Sequence, residues 1–126
     1  MDLRAIASPD APSAVGPYVQ AVAHAGLLYC SGALPIDPQS GDLDNENVAA
    51  EVARSLANLA AVCAEAGTGL DRTVRTSIYT TRLDLFGEIN AVYADHFPDR
   101  VPARTTIGVA ALPLGAVVEI DAIVAL

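Results

Sequence analysis

The chain has 126 residues, which is enough to bury one hydrophobic core and is the usual size of one domain. Seven basic residues stand against fifteen acidic ones, a formal charge of −8, so phosphate backbones and anionic lipid surfaces are unfavourable partners, while a local cationic spot can still hold a small anion. Charged residues make up 17% and hydrophobic residues 52%; the charged share is below the roughly one quarter of an ordinary globular chain, and the apolar surplus points to self-association.

The first stretch is broken by Pro9, Pro12, Gly16 and Pro17. After it, Tyr18 to Val22 and Leu27 to Ser31 read as two strands of a hairpin around His24-Ala25-Gly26. Pro35 to Asp42 is dense in turn formers and reads as a loop. From Val48 onward, Val48, Val52, Leu56, Leu59 and Cys63 recur at three- and four-residue steps, with Glu51, Arg54, Ser55, Asn58 and Glu65 elsewhere around the wheel. That spacing predicts an amphipathic helix, capped by one of residues Asp44 to Asn47 and ended at Gly67.

Arg72 to Thr81 is rich in Thr, Val, Ile and Tyr and reads as a strand. A second helix follows, with Asp84 as its N-cap, Phe86, Ile89, Tyr93 and Phe97 on one stripe, and Pro98 as its stop. Arg104 to Val109 and Val117 to Leu126 are the last two strands, with Leu112 to Gly115 as the turn between them. There is no internal repeat or linker, so one domain is expected over residues 1–126. The order is an α+β pattern in which two helices cover one face of a single sheet. Because the last strand is apolar on both of its faces, the second sheet face is expected to be covered by other subunits of a closed homo-oligomer.

No segment approaches the roughly 18 apolar residues of a membrane span, and the start lacks the layout of a signal peptide, so a cytoplasmic protein without membrane association is expected. Cys30 and Cys63 are too few for a disulfide framework and match no zinc spacing; they are expected to be reduced core thiols. His24 and His96 have no neighbouring ligand cluster, so no metal is expected. Phosphate loops, nucleophile elbows and metalloprotease motifs are absent, and all seven basic residues are arginine, which removes lysine Schiff-base catalysis.

Two residues stand out chemically. Arg104 places a fork of guanidinium donors in an otherwise apolar strand, where it could hold a carboxylate with two hydrogen bonds. Glu119, between Val118 and Ile120, is an acid that must find a partner or shift its pKa. The two could equally pair with each other as a structural ion pair. Tyr18, Asn90 and Ser31 are weaker candidates for a ligand site.

Gly16-Pro17-Tyr18, Cys30-Ser31-Gly32 with Pro35 following, Asn58-Leu59, Asn90 with Tyr93 and Phe97, Pro102-Ala103-Arg104 and Val118-Glu119-Ile120 occur in the order and at the spacing of the Rid/YjgF family of reactive intermediate deaminases. The sequence resembles that family along essentially its whole length. The resemblance implies a chorismate-mutase-like fold with one mixed sheet of about six strands, a homotrimer whose sheets form a central barrel, and clefts between neighbouring subunits. It also implies hydrolysis of enamine/imine intermediates, 2-imino acids such as 2-iminopropanoate derived from 2-aminoacrylate, to 2-keto acids and ammonia without a cofactor. By the same resemblance, Arg104 and Glu119 are catalytic: Arg104 holds the substrate carboxylate and Glu119 orients or activates the attacking water. Tyr18 walls the pocket, Ser31 and Asn90 line it, and the backbone around Thr106 helps to fix the substrate.

Thr105 and Thr106 stand where the family often has Ser and Cys, and Ala33 where it often has Gln. Thiol chemistry at Thr106 is therefore excluded, while main-chain contacts there survive. The alternative reading is a non-catalytic regulatory protein of the same fold that binds a small carboxylate. Ribonuclease or chaperone-like action fits the acidic charge less well.

Overall fold

The computed structural model describes residues 2–126; Met1, the first residue of the expected domain, lies outside the described residues. Six strands form one mixed sheet in the order β1-β2-β3-β6-β4-β5. They are β1 (Arg4–Ile6), β2 (Ala21–His24), β3 (Leu27–Ala33), β4 (Thr73–Thr80), β5 (Ala103–Gly108) and β6 (Val118–Ala125), with helices α1 (Val48–Glu65) and α2 (Phe86–Asp95) between them. Only β4 and β5 run parallel; the other neighbours are antiparallel. The expected sheet of about six strands with two helices is therefore present.

Local chemistry explains most of the boundaries. Asn47 caps α1, its Oδ1 accepting from Ala50 N at 2.8 Å, and Gly67 ends it at φ 82°, where the Thr68 amide bonds back to Cys63 O as a glycine-terminated helix requires. The β2–β3 turn has positive φ at both Ala25 and Gly26, the geometry whose twist matches a two-residue hairpin.

Helix α1 buries Val48, Val52, Leu56, Leu59 and Cys63, as the spacing predicts, but it also buries Glu51, Ser55 and Asn58. These three polar side chains belong to the packed face rather than to solvent. Glu51 Oε1 accepts from Val117 N and Val118 N at 2.7 and 3.2 Å, and Asn58 Nδ2 donates to Leu34 O and Ile36 O. Glu51 and Asn58 thus serve as joints between α1 and the backbone of neighbouring segments, whereas the buried Ser55 Oγ has no hydrogen-bond partner. Residues Leu28, Ile78, Ile89, Val118, Ile120 and Val124 complete the core with them.

Three sequence expectations need correction. The first hairpin strand begins at Ala21 rather than Tyr18, because the amide of Tyr18 is turned onto Gly16 O at 2.8 Å and the side chain lies exposed. Strand β1, pairing Arg4 to Ile6 with β2, was not anticipated; three residues with no alternation give no strand signal. Asp84 does not cap α2: the N-cap is Leu85, without a side-chain bond, because Asp84 instead holds Arg82 in a two-point ion pair at 2.9 and 2.8 Å.

Both helices cover the face that carries Val118, Ile120, Ala122 and Val124, which are buried in strict alternation along β6. The opposite face carries Glu119, Asp121 and Ile123, half-buried, with Tyr29 and Ile107 exposed beside them. It is uncovered in the single chain. No helix among the described residues is long and apolar enough to cross a membrane.

Candidate active site

Arg104 sits on edge strand β5 directly opposite Thr76, which in turn lies opposite Ala122. Directly paired residues project from the same sheet face, so Arg104 points to the helix side with two buried neighbours. Its guanidinium carbon lies 4.9 Å from the centre of the Tyr93 ring and 5.6 Å from that of Phe86. Those rings fix the cation by its face, and the residue makes no ion pair or side-chain hydrogen bond with any described residue. Tyr93 is locked in turn, its hydroxyl 2.6 Å from Thr76 Oγ1; burial raises its pKa, with the Thr76 bond and the Arg104 charge opposing that rise.

Asn90 lies between Phe86 and Tyr93 at four- and three-residue steps on α2, which places it on the face turned to Arg104. Thr106 is two residues beyond Arg104 and therefore projects on the same side of β5. Asn90 Oδ1 and Thr106 Oγ1 are buried without any hydrogen-bond partner. A buried polar atom left unpaired is costly. Here such atoms lie on the same side of β5 and α2 as Arg104, whose guanidinium has no ion pair with a described residue, so the arrangement is able to take a polar ligand.

Glu119 is built differently. It pairs across β4 with Tyr79, which is opposite Ile107, so it projects from the uncovered face. Arg104 and Glu119 are thus on opposite sides of the sheet with β4 between them, and they form no ion pair within the chain; the structural-pair expectation fails. The Glu119 carboxyl lies against β3 where the β3–β6 register shifts between Cys30 and Ala33. Burial pushes its pKa above the ordinary range, and the charge of Asp121 adds to the rise.

A shallow cleft opens at this carboxylate, bounded by Tyr18, Ser31, Gly32, Leu34, Pro113 and Glu119. Tyr18 is held by its hydroxyl, which accepts from Val15 N at 3.1 Å, and Ser31 Oγ donates to Val19 O at 2.6 Å. The residues singled out from the sequence therefore fall into two groups: Arg104, Asn90 and Thr106 between β5 and α2, and Glu119, Tyr18 and Ser31 at the β3–β6 seam. Sequence reasoning missed Phe86, read as core but exposed beneath the guanidinium, and Gly32 as the cradle of Glu119. The adjacency of Gly32 to Ser31 was visible, but a bulge that brings its α-carbon to Glu119 depends on strand register. Among the described residues, no group of three His, Cys, Asp or Glu is placed to hold a metal ion.

The family model described as "Endoribonuclease L-PSP" matches residues 8–126. A RutC family protein, y4sK, of Sinorhizobium fredii is 46% identical over 121 residues, covering 96% of each chain. The 2-iminobutanoate/2-iminopropanoate deaminase of Homo sapiens is 37% identical, covering 95% of this chain and 88% of the human one. The crystal structure of the YjgF gene product of E. coli superposes with a TM-score of 0.91 at 34% identity, over 97% of this chain and 98% of that one.

Proposed function

The chain belongs to the endoribonuclease L-PSP family, the Rid/YjgF proteins, and from that premise we propose that it hydrolyses 2-imino acids to 2-keto acids and ammonia in clefts between the subunits of a homotrimer. The observation that supports this most is the state of Arg104: it is fixed over two aromatic rings, no protein anion occupies its donors, and two unpaired buried oxygens stand near it. A carboxylate is the ligand that such a fork takes with two parallel hydrogen bonds. Since the chain's own Glu119 is on the other sheet face, the acid that completes the site is supplied by a neighbouring copy, across the uncovered face.

In this reading Arg104 holds the carboxylate of the imino acid and the neighbour's Glu119 takes a proton from water as its oxygen attacks C2. The former imine nitrogen receives that proton, giving the carbinolamine. Glu119 then takes the C2 hydroxyl proton and passes it to nitrogen as the C–N bond breaks, so that ammonia leaves, the C2 oxygen becomes the keto oxygen, and Glu119 ends as the carboxylate it began as. A carboxyl whose pKa is lifted by burial is better matched to this exchange near neutral pH than an ordinary one. An imine is already electrophilic, so positioning and one activated water are enough.

The test is keto-acid release from imines generated in place by an amino-acid oxidase, with no protein, wild type, and Arg104→Ala. Acceleration by wild type that disappears in Arg104→Ala supports the deaminase. Absence of acceleration by folded, oligomeric protein, together with binding of the keto acid, selects instead the carboxylate-binding regulatory reading. RNA is disfavoured by the charge of −8 and by the engagement of Arg54 and Arg82 with acids.

A further inference from the structure

Behind the Glu119 cleft, between β3 and α1, lies a second and more enclosed cavity of about 40 Å³. The two share Tyr18, Ser31, Gly32 and Leu34, so the inner cavity opens at the position where the acid rests on Gly32. Its apolar walls include Ala33, Ile36, Leu59 and Val62; Asn58 and Gln20 are polar members, and the exposed Ser13 and Tyr18 bring hydroxyls to its rim.

Asn58, Gln20 and Ser31 have no donor to offer a ligand, and the hydroxyls of Ser13 and Tyr18 belong to exposed residues at the rim. Both amide hydrogens of Asn58 go to Leu34 O and Ile36 O, those of Gln20 go to Ser8 O and Pro12 O, and the Ser31 hydroxyl donates to Val19 O. No charged side chain lines the cavity. A carboxylate or an amine would lose its hydration here with no opposite charge to replace it, whereas an alkyl group would exchange water for apolar walls. A single water-sized group needs roughly 10–15 Å³ of such space, so 40 Å³ accommodates about three.

We infer that this cavity is a side-chain subsite, and that the imino acids it selects carry an unbranched apolar side chain of about three heavy atoms, as those made from norvaline do. The inference rests on the deaminase reading and specifies its substrate class. An alanine-derived imine leaves the cavity empty, and a phenylalanine-derived imine exceeds it. Filling is worth about fourfold in affinity per buried methylene, which follows from roughly 0.8 kcal/mol each, so norvaline-derived imine is favoured over alanine-derived imine by about tenfold or more in kcat/KM.

The test compares kcat/KM for imines from alanine, norvaline, methionine and phenylalanine in wild type, Ala33→Leu and Val62→Ala. Ala33→Leu fills the cavity and brings the norvaline-to-alanine ratio near one. Val62→Ala lengthens it and moves the optimum to the methionine-derived imine, so the two variants act in opposite directions and loss of folding cannot imitate both. A wild-type ratio near one, or ratios unmoved by both variants, overturns the subsite while leaving the deaminase intact. Calorimetric titration with pyruvate and 2-oxopentanoate separates the two failures. Even if no imine is hydrolysed, tighter binding of the longer acid that is abolished in Ala33→Leu supports the subsite, and equal binding overturns it.

Discussion

Gly32 and Glu119 touch at a distance that only a glycine at position 32 permits: a Cβ built on Gly32 would sit 2.8 Å from Glu119 Oε2 and 2.9 Å from its Cδ. The backbone of β3 is thus a seat for the carboxyl of β6. The glycine is required here by close approach rather than by an unusual φ.

Gly32→Ala is therefore expected to displace the carboxyl rather than unfold the protein, because the contacting atoms are the far end of a side chain. Overpacking of this kind costs about 1–3 kcal/mol. The expected outcome is a folded protein of unchanged oligomer size whose Tm falls by several degrees, with kcat/KM down by about tenfold or more, since a small misplacement of a reacting group is amplified in rate. Retention of full activity would show that the position of Glu119 does not matter.

Arg104→Ala and Glu119→Gln are each expected to lose at least about a hundredfold in kcat/KM, as hydrogen bonds to a charged group are worth roughly 1.5–3 kcal/mol apiece. Because the two residues lie on opposite faces of one chain, mixing the dissociated and reassembled variants one to one is expected to restore about a quarter of wild-type activity, the share of clefts in a closed ring that receive both intact residues. Activity that stays at zero in mixed oligomers would place both groups of each site on one subunit.

The acid limb of kcat reports the substrate complex, in which the carboxylate of the substrate occupies Arg104. Glu119 must be ionised to accept a proton, so activity is lost as pH falls through its raised pKa. Burial is the larger cause and the Asp121 charge the second. Asp121→Asn is expected to move the limb to lower pH without abolishing activity; a limb that does not move would exclude Glu119 as the titrating group. For stability the sign is opposite. A raised native pKa contributes stability below the unfolded value that is lost as pH rises through the native one, so Glu119→Gln is expected to be slightly more stable than wild type at neutral pH and no different in acid.

Glu51 joins α1 to the entry of β6 through the amides of Val117 and Val118. Glu51→Ala leaves one buried and one part-buried donor unpaired and is expected to destabilise the fold by about 2–6 kcal/mol, at roughly 1–3 kcal/mol per unsatisfied group. Glu51→Gln, which keeps an acceptor oxygen, is expected to recover most of that in urea titrations at fixed protein concentration. Equal losses in both variants would locate the effect in the charge rather than in the hydrogen bonds.

The sequence by itself determined both helices and every strand except β1. The three- and four-residue rhythm of Val48, Val52, Leu56, Leu59 and Cys63, the Gly67 stop and the β-branched run of β4 are local properties, written in consecutive residues. It also singled out Arg104 and Glu119, because a charge set among apolar strand residues is conspicuous wherever the strand lies. Only the tertiary structure decided that Glu51, Ser55 and Asn58 are buried, that Asp84 serves Arg82 instead of a helix, and that β6 lies between β3 and β4. The same nonlocal pairing put Arg104 and Glu119 on opposite faces. The physical reason is that a side chain's face is fixed by a period of two, while its neighbours are fixed by strand order and register. One bulge at Ser31 and Gly32 is enough to bring a glycine under a carboxylate 87 positions away in the chain, and nothing in the intervening residues records it.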